Sequence, residues 1–298
     1  MRRIPFNAKL AVAIAILAMV GLGPVCAFSA DQSSESPVEL VRRTVQKETA
    51  TSNGGAKAMF TDRKGTPQGS QTKLIVETRE GMAGMLVAIN NKPLSPAQRQ
   101  AEEARLEGLA NNPEGLKKKQ RSEKEDAEHV ARIMKALPDA FLYERDGSAV
   151  GNQEIGRPGD QLVRLKFRPN PKYDPPSHTE QVLTVMEGYI LIDADQHRIA
   201  KIDGTLTKEV GFGWGILGHL DRGGHFLVEQ AEAIPGDWEI THMSLAFTGK
   251  ELLFKNINIK LDEVFSNFGQ APSNLTFAQG VDLLKKQQAE LAENQQRP

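Results

Sequence analysis

The chain has 298 residues, with 37 Lys and Arg against 38 Asp and Glu, and a single cysteine. This nearly neutral balance gives no electrostatic basis for binding nucleic acid or an anionic membrane surface. One cysteine also excludes an internal disulfide framework and a metal site built from several thiolates.

The first thirty residues have the organisation of a secretory signal peptide. A basic start precedes an apolar run from Leu10 to Leu22, which is shorter than the roughly 20 residues that a membrane span needs. We expect cleavage after Ala27 or Ala30, so that residues 31–298 form the mature protein. The chain is therefore predicted to be exported to the periplasm.

The single cysteine, Cys26, raises the question of lipid anchoring. A lipoprotein signal carries a small residue directly before the modified cysteine, whereas Pro24-Val25 precedes this one, so we expect no anchor. Loss of three basic residues with the leader leaves 34 basic against 38 acidic residues, a net charge near −4. No other apolar run approaches membrane-spanning length, so no transmembrane segment is predicted for the mature chain.

The mature chain is predicted to begin with a helix and three strands. Ser36-Pro37-Val38-Glu39 is a capping box with proline at the first helical position, and a helix of about a dozen residues is expected to follow it. Strand signals then occur at about 56–63, 71–79 and 84–91.

The charged segment from about 94 to 137 has helical rather than strand periodicity. Ser95 and Ser122 each begin a capping box, and Asn111-Asn112-Pro113 separates the two helices. Pro138 is expected to end the second helix. We predict a helical insertion in an otherwise strand-rich domain.

Strand signals dominate from residue 140 onward, beginning with Phe141–Tyr143 and the alternating run Leu162–Phe167. Thr276 opens a last capping box and a C-terminal helix. The elements together predict one α+β domain over residues 31–298, with a large curved antiparallel sheet forming a half-barrel wrapped on helices. Between Phe167 and Thr276, strands spaced as in a meander are expected at about 182–193, 198–203, 205–212, 224–232, 238–248 and 251–260.

Patterns that would carry catalysis or bind metal are weak in this sequence. The glycine-rich stretch 211–218 lies among strands, where glycines favour bends rather than phosphate binding. His219, Asp221 and His225 could form a metal site across a hairpin, but two surface histidines flanking a turn fit the pattern better. No serine or cysteine nucleophile signature is visible. We therefore expect a protein without enzymatic activity and without a cofactor.

Eight large apolar residues of the second half fall on strands or turns of the predicted sheet. A curved sheet could place them around a cavity that binds a ligand, while filling an ordinary core is the alternative. These candidate lining residues are Phe212, Trp214, Leu217, Phe226, Trp238, Met243, Phe247 and Phe254.

The second half of the chain carries a recognisable set of segments, namely 169–176, 186–193, 196–203, 212–218 and 249–254, together with Trp238. In these segments it resembles a group of exported bacterial proteins of unknown function. In its order of elements the group is similar to the LolA-type periplasmic lipoprotein-carrier half-barrels, although this chain is longer and carries the helical insertion. The resemblance implies a curved antiparallel sheet around helices, with a cavity that holds a lipid or a lipidated protein.

The leader, the sheet pattern and the lack of catalytic patterns lead to one principal hypothesis. It is a non-enzymatic periplasmic binding or carrier protein whose half-barrel cavity holds an apolar ligand, namely an acyl chain, a lipid or a lipoprotein. One alternative is a structural or regulatory protein that binds another protein of the envelope. A second alternative is a metal-dependent hydrolase built on His219, Asp221 and His225.

Overall fold

The computed structural model describes residues 35–51, 57–177, 179–212, 218–251 and 255–296. The predicted leader therefore lies outside the described residues. The described part is α+β, as the sequence predicts, and it contains a large antiparallel sheet that is not closed. Its helices are α1 (Pro37–Thr51), α2 (Pro96–Ala110), α3 (Pro113–Ala140), α4 (Phe277–Gln296) and a short 3-10 helix (Glu180–Val185).

Thirteen strands are found among the described residues, and their pairing follows the chain closely. The order across the sheet is β4-β3-β2-β1-β13-β12-β11-β8-β7-β6-β5, with the short pair β9 and β10 attached to β12. The strands are β1 (Ala58–Thr66), β2 (Gly69–Thr78), β3 (Gly81–Ile89), β4 (Lys92–Pro93), β5 (Phe141–Val150), β6 (Gln161–Pro169), β7 (Met186–Asp193), β8 (Arg198–Leu206), β9 (Val210–Phe212), β10 (Gly218–Leu220), β11 (His225–Ile234), β12 (Asp237–Glu251) and β13 (Lys255–Gln270).

Contacts between residues divide the chain into two compact units. Among the described residues, the large unit comprises those before residue 56 together with Glu128–Lys260. The small unit comprises Ala56–Ala127 and the residues from Leu261 onward. Each unit buries apolar side chains of its own.

The small unit packs α2 and α4 against one face of its strands. Alternation along β2 and β3 directs one set of side chains to this face, and a stripe at helical spacing on α4 meets it. Gly280 of α4 permits close approach, because a Cβ at this position would lie 2.7 Å from Thr78 Cγ2. The buried residues are Leu74, Val76, Ala83, Met85, Leu106, Ala271, Phe277, Val281 and Leu284.

In the large unit, a buried ion pair ties α1 to the sheet. The Arg198 side chain of β8 donates from Nε to Glu48 Oε1 at 3.1 Å, and the Ile199 amide donates to the same oxygen at 2.8 Å. Both charged side chains are almost fully buried. Because buried charges persist only when they are paired, this contact fixes the position of α1 on β8.

Two of the predicted capping boxes are reciprocal in the structure. At α2, Gln98 N donates to Ser95 Oγ at 3.3 Å and Ser95 N donates to Gln98 Oε1 at 2.9 Å. At α4, Thr276 N donates to Gln279 Oε1 at 2.9 Å, and Gln279 N donates back to Thr276 Oγ1 at 3.2 Å. The helix starts predicted at these two boxes are confirmed.

Two predictions about α3 are wrong in detail. Ser122 does not begin a helix, because α3 starts at Pro113 and the amides after Ser122 already have helical partners one turn earlier. Pro138 does not stop α3 either. It lies in the last turn, where it removes a single backbone donor, and the helix continues to Ala140.

The predicted division of one strand at Gly204 is also wrong, because β8 runs without interruption from Arg198 to Leu206. Gly204 pairs directly with Gly188 of β7, so two residues without side chains face each other across the ladder. A Cβ on Gly204 would lie 2.8 Å from Met186 Sδ, and the glycine is therefore a packing device within the strand rather than a turn. Residues 182–185, predicted as the start of a strand, belong to the 3-10 helix.

Candidate ligand cavity of the large unit

An apolar cavity of about 110 Å³ lies in the large unit between the C-terminal half of α3, the 3-10 helix and one face of the sheet. The helical wall consists of Val130, Ile133, Met134, Leu137, Thr179, Val182 and Leu183. The sheet wall consists of Phe141, Tyr143, Phe167, Met186, Ile190, Ile202, Phe226, Val228, Gln230, Ile240 and Met243.

The helical wall comes from a single stripe along α3. Val130, Ile133, Met134 and Leu137 are spaced by three and four residues, which places them on one face of the helix. Leu137 is buried, whereas the other three are half-buried. This wall is therefore more exposed than the innermost part of the sheet wall.

The sheet wall is organised by strand register. Ile190 of β7 pairs with Ile202 of β8, Ile202 pairs with Val228 of β11, and Val228 pairs with Met243 of β12. Residues that face each other across a ladder project to the same side of the sheet. The four side chains therefore form one continuous apolar row under the helical wall.

A neighbouring row contains no side chains at its centre. Phe167 of β6 pairs with Gly188, Gly188 with Gly204, and Gly204 with Phe226. Met186 and Phe167 occupy the place that a side chain on Gly204 would take, because a Cβ there would lie 2.8 Å from Met186 Sδ and 3.4 Å from Phe167 Cζ. The glycine pair thus lets large lining residues come close to the sheet backbone.

Two polar groups of the sheet wall differ in how they are satisfied. The hydroxyl of Tyr143 donates to the carbonyl of Leu137 at 2.8 Å, and burial raises the pKa of Tyr143, so the phenol stays neutral. Gln230 is 2% exposed, and its side-chain oxygen has no hydrogen-bond partner among the described residues. Gln230 therefore contributes to this wall a buried acceptor without a partner.

No charged side chain and no histidine lines the cavity within the part of the chain that the structure describes. A site that moves protons or stabilises a developing charge needs such groups, or a nucleophile with an adjacent base. The lining instead offers apolar contacts, the hydroxyls of Thr179 and Tyr143, and the side-chain amide of Gln230. This arrangement suits the holding of an apolar group.

The structure places the residues predicted from the sequence to line a cavity in several different environments. Phe226 and Met243 lie in the sheet wall. Phe247 is buried beside Gly224, and Trp238 packs in a separate cluster with Leu162, Leu191 and Ala200. The side chain of Phe212, which ends β9, is outside the described part of the structure, and so are Trp214, Leu217 and Phe254.

Most of the lining comes from residues that the sequence did not single out. The stripe on α3 is visible as Val130, Met134 and Leu137 at helical spacing, but spacing alone does not show which element it faces. The position of Gln230 can also be recognised in the sequence, since it follows Phe226 and Val228 at alternate positions of one strand. A polar residue on an otherwise apolar strand face marks a position that needs a partner.

The three residues considered for a metal site do not converge. His225 Nε2 lies 2.9 Å from Asp203 Oδ1, whereas His219 Nε2 lies 3.3 Å from Asp221 Oδ1. The carboxylate that joins His219 and Asp221 is Glu209, at 4.0 Å from the histidine. Since Asp221 and Glu209 are 44% and 64% exposed, we interpret this group as an ordinary surface ion cluster.

Across the described residues, none of the helices combines the length and the apolar character needed to cross a membrane. α3, the longest of them at 28 residues, has a largely charged sequence.

Comparisons with known proteins complete the description of the site. No protein-family model matches the chain, and no curated protein is similar to it. Among solved structures, one that is similar is a DUF1329 family protein from Desulfovibrio piger ATCC 29098, with 9% sequence identity and a TM-score of 0.26. That alignment covers 84% of this chain and 100% of the other. A likeness at this TM-score carries no argument about function.

Proposed function

We propose that this chain is a non-enzymatic binding or carrier protein that holds an apolar ligand in the cavity of the large unit. The observation that carries the proposal is the lining, in which apolar side chains from α3, the 3-10 helix and six strands enclose a space without any charged group among the described residues. Each Å² of apolar ligand surface buried there would contribute roughly 25 cal/mol.

The size of the cavity limits what it can hold. At about 110 Å³ it is somewhat smaller than the roughly 150 Å³ engineered cavity that binds benzene, and well below the roughly 300–1,000 Å³ of pockets that enclose drug-sized ligands. The ligand is therefore a short apolar group or the end of an acyl chain, as a lipid or lipoprotein would present. Delivery to the periplasm by the predicted leader would place the protein among such cargo.

Binding can be tested with small apolar probes. We expect toluene and 1-hexanol to bind the intact chain, detected by ligand-observed NMR, and native mass spectrometry of protein purified from the periplasm to show a copurified acyl compound. Absence of binding by both probes, together with no copurified compound, would refute the proposal.

A cavity-filling variant makes this test specific. Ile133→Trp, in the helical wall, should abolish binding because the indole occupies the space, at a cost of about 1–3 kcal/mol in stability from overpacking. Leu142→Trp is the matched control, since Leu142 is 38% exposed on β5 and lies outside the cavity lining. Equal loss of binding in both variants would contradict a role for the cavity.

The alternative of a protein-binding module gains little support from the described surface. The exposed large apolar side chains there lie on three elements: Leu142 and Val150 at opposite ends of β5, Val264 on β13 and Leu291 on α4. Apolar residues scattered singly are normal for protein surfaces, whereas a docking site needs a contiguous patch.

A further inference from the structure

One lining residue, Gln230, is not explained by the apolar character of the cavity. The residue lies on β11, two positions beyond Val228, and it is 2% exposed. Its backbone carbonyl accepts a hydrogen bond from the amide of Gly156 at 2.7 Å, so the main chain is satisfied. Its side-chain oxygen is fully buried and has no donor within reach among the described residues.

Burying an amide oxygen without a hydrogen-bond partner costs free energy of folding. Buried side-chain polar atoms are nearly always hydrogen-bonded, and one that lacks a partner loses its hydration without compensation. Tyr143, the half-buried polar side chain of the same sheet wall, already donates its hydroxyl to the carbonyl of Leu137 and does not donate to Gln230. A ligand that brings a donor into the cavity would therefore gain a hydrogen bond that the empty protein lacks.

We infer that the cavity selects uncharged aliphatic ligands that carry a hydroxyl group at their buried end, with Gln230 as the residue that binds the hydroxyl. This inference rests on the proposed binding function and adds the chemical class of the ligand. The hydroxyl proton is donated to Gln230 Oε1, while the aliphatic part packs between α3 and the row of Ile190, Ile202, Val228 and Met243.

Competing ligand ends fit less well. An alkane end leaves the amide oxygen unpaired, and an ether oxygen only accepts. A carboxylate also lacks a proton to donate, and no cation lines the cavity among the described residues to balance its charge. A free fatty acid would thus have to bind with its carboxylate outside the cavity.

The test compares two isomers that differ in hydrogen-bond donation. 1-Hexanol donates and accepts, whereas methyl pentyl ether only accepts, and both have the same atoms. Their dissociation constants are measured by NMR titration of the intact chain with wild-type sequence, with Gln230→Met and with Ile240→Met. Ile240 faces Gln230 in the strand register and lines the same cavity, so its variant introduces the same side chain without removing a polar group.

We expect Gln230→Met to reduce the preference for the alcohol over the ether by about 3- to 10-fold, the range that one hydrogen bond contributes to affinity. Ile240→Met should leave that preference within about twofold of wild type, because a volume-conserving apolar exchange touches no hydrogen bond. In the wild-type chain, 1-hexanol should also shift the side-chain amide resonances of Gln230, a result that needs no variant to fold.

The outcomes separate the two proposals. Binding of both isomers with a preference that is the same in wild type and Gln230→Met, and with no shift of the Gln230 amide, would overturn the hydroxyl inference and leave the binding function standing. Failure of both isomers and of toluene to bind would overturn both. A preference lost equally in Gln230→Met and Ile240→Met would assign it to cavity shape, which also overturns the role of Gln230.

Discussion

Glu77 of the small unit provides the sharpest test of the structure that does not depend on function. The residue lies on β2 and is 3% exposed, and its Oε2 accepts a hydrogen bond from the amide of Ala58 at 3.0 Å. Burial raises the pKa of this carboxyl from its ordinary value of 4.5 to about 7, and the nearby Glu123 acts in the same direction. The folded protein therefore holds a proton that the unfolded chain releases above pH 4.5.

The direction of the pH effect follows from this proton. Between about pH 4.5 and 7 the folded state binds more protons at Glu77 than the unfolded state does, so the free energy of unfolding falls as the pH rises through this window and levels off above it. At about 1.36 kcal/mol per pKa unit, the shift from 4.5 to about 7 corresponds to roughly 3 kcal/mol.

The variant Glu77→Gln removes this titration and keeps an oxygen that can accept from Ala58. We expect it to be more stable than wild type by about 1–3 kcal/mol at pH 8, and to differ little from wild type at pH 4.5, as measured by urea unfolding followed by circular dichroism. The difference between the two curves isolates Glu77 from the other titrating groups.

The matched control is Glu187→Gln, an exposed glutamate on a strand of the large unit. It makes the same change in net charge without changing a buried group. If the difference between Glu77→Gln and wild type were independent of pH between 4.5 and 8, or equal to that of Glu187→Gln, Glu77 would not be a buried carboxyl of raised pKa and the packing of β2 described above would be wrong.

Three further predictions concern the large unit, and the last of them uses a comparison variant in the small unit. Arg198→Met should lower the free energy of unfolding in urea by about 3–5 kcal/mol, because it leaves the buried Glu48 without its partner. The double variant Glu48→Met with Arg198→Met should recover most of that loss. A double variant no more stable than the single one would contradict the pairing. Met243→Ala should lower the free energy of unfolding by about 2–5 kcal/mol and enlarge the cavity, so that probes larger than toluene bind in an NMR series. If the largest probe that binds were the same in this variant and in wild type, Met243 would not belong to the cavity wall. Gly188→Ala should destabilise the protein by about 1–3 kcal/mol or more, because its Cβ would lie 1.9 Å from the carbonyl oxygen of Asp203. Gly108→Ala in α2, where a Cβ would meet nothing within 4 Å, should stabilise the protein by roughly 1 kcal/mol. Equal changes in melting temperature for the two variants would refute the close pairing of β7 with β8.

Local sequence signals predicted the elements of this fold well, because those signals act over a few residues. The caps at Ser95 and Thr276 satisfy backbone amides within one turn, and each marks the start of its helix correctly. The box at Ser122 has the same pattern, a hydroxyl residue followed three positions later by Glu or Gln, but it lies inside a continuing helix, where the amides are already bonded. A local motif therefore predicts a helix start only where no earlier turn supplies the partners.

The cavity could not be predicted in the same way, because it depends on register between strands. The sequence singled out Trp238 for its size, yet the residue packs with Leu162, Leu191 and Ala200 outside the lining. The predicted strands 198–203 and 205–212 are separated at Gly204, although its pairing with Gly188 makes it part of one ladder. Which side chains share a row is fixed only when five strands align, and no short-range pattern contains that information.

The two walls of the cavity differ in how a ligand could pass them. Ile190, Ile202, Val228 and Met243 belong to strands held by continuous ladders, so moving them would break many backbone hydrogen bonds at once. The stripe on α3 is held to the cavity by side-chain packing, and three of its four members are half-buried already. Entry and release of a ligand would therefore displace the helical wall and leave the sheet wall, including Gln230, in place. A hydroxyl site on the fixed wall would then keep its geometry throughout loading, which is the condition for it to select among ligands.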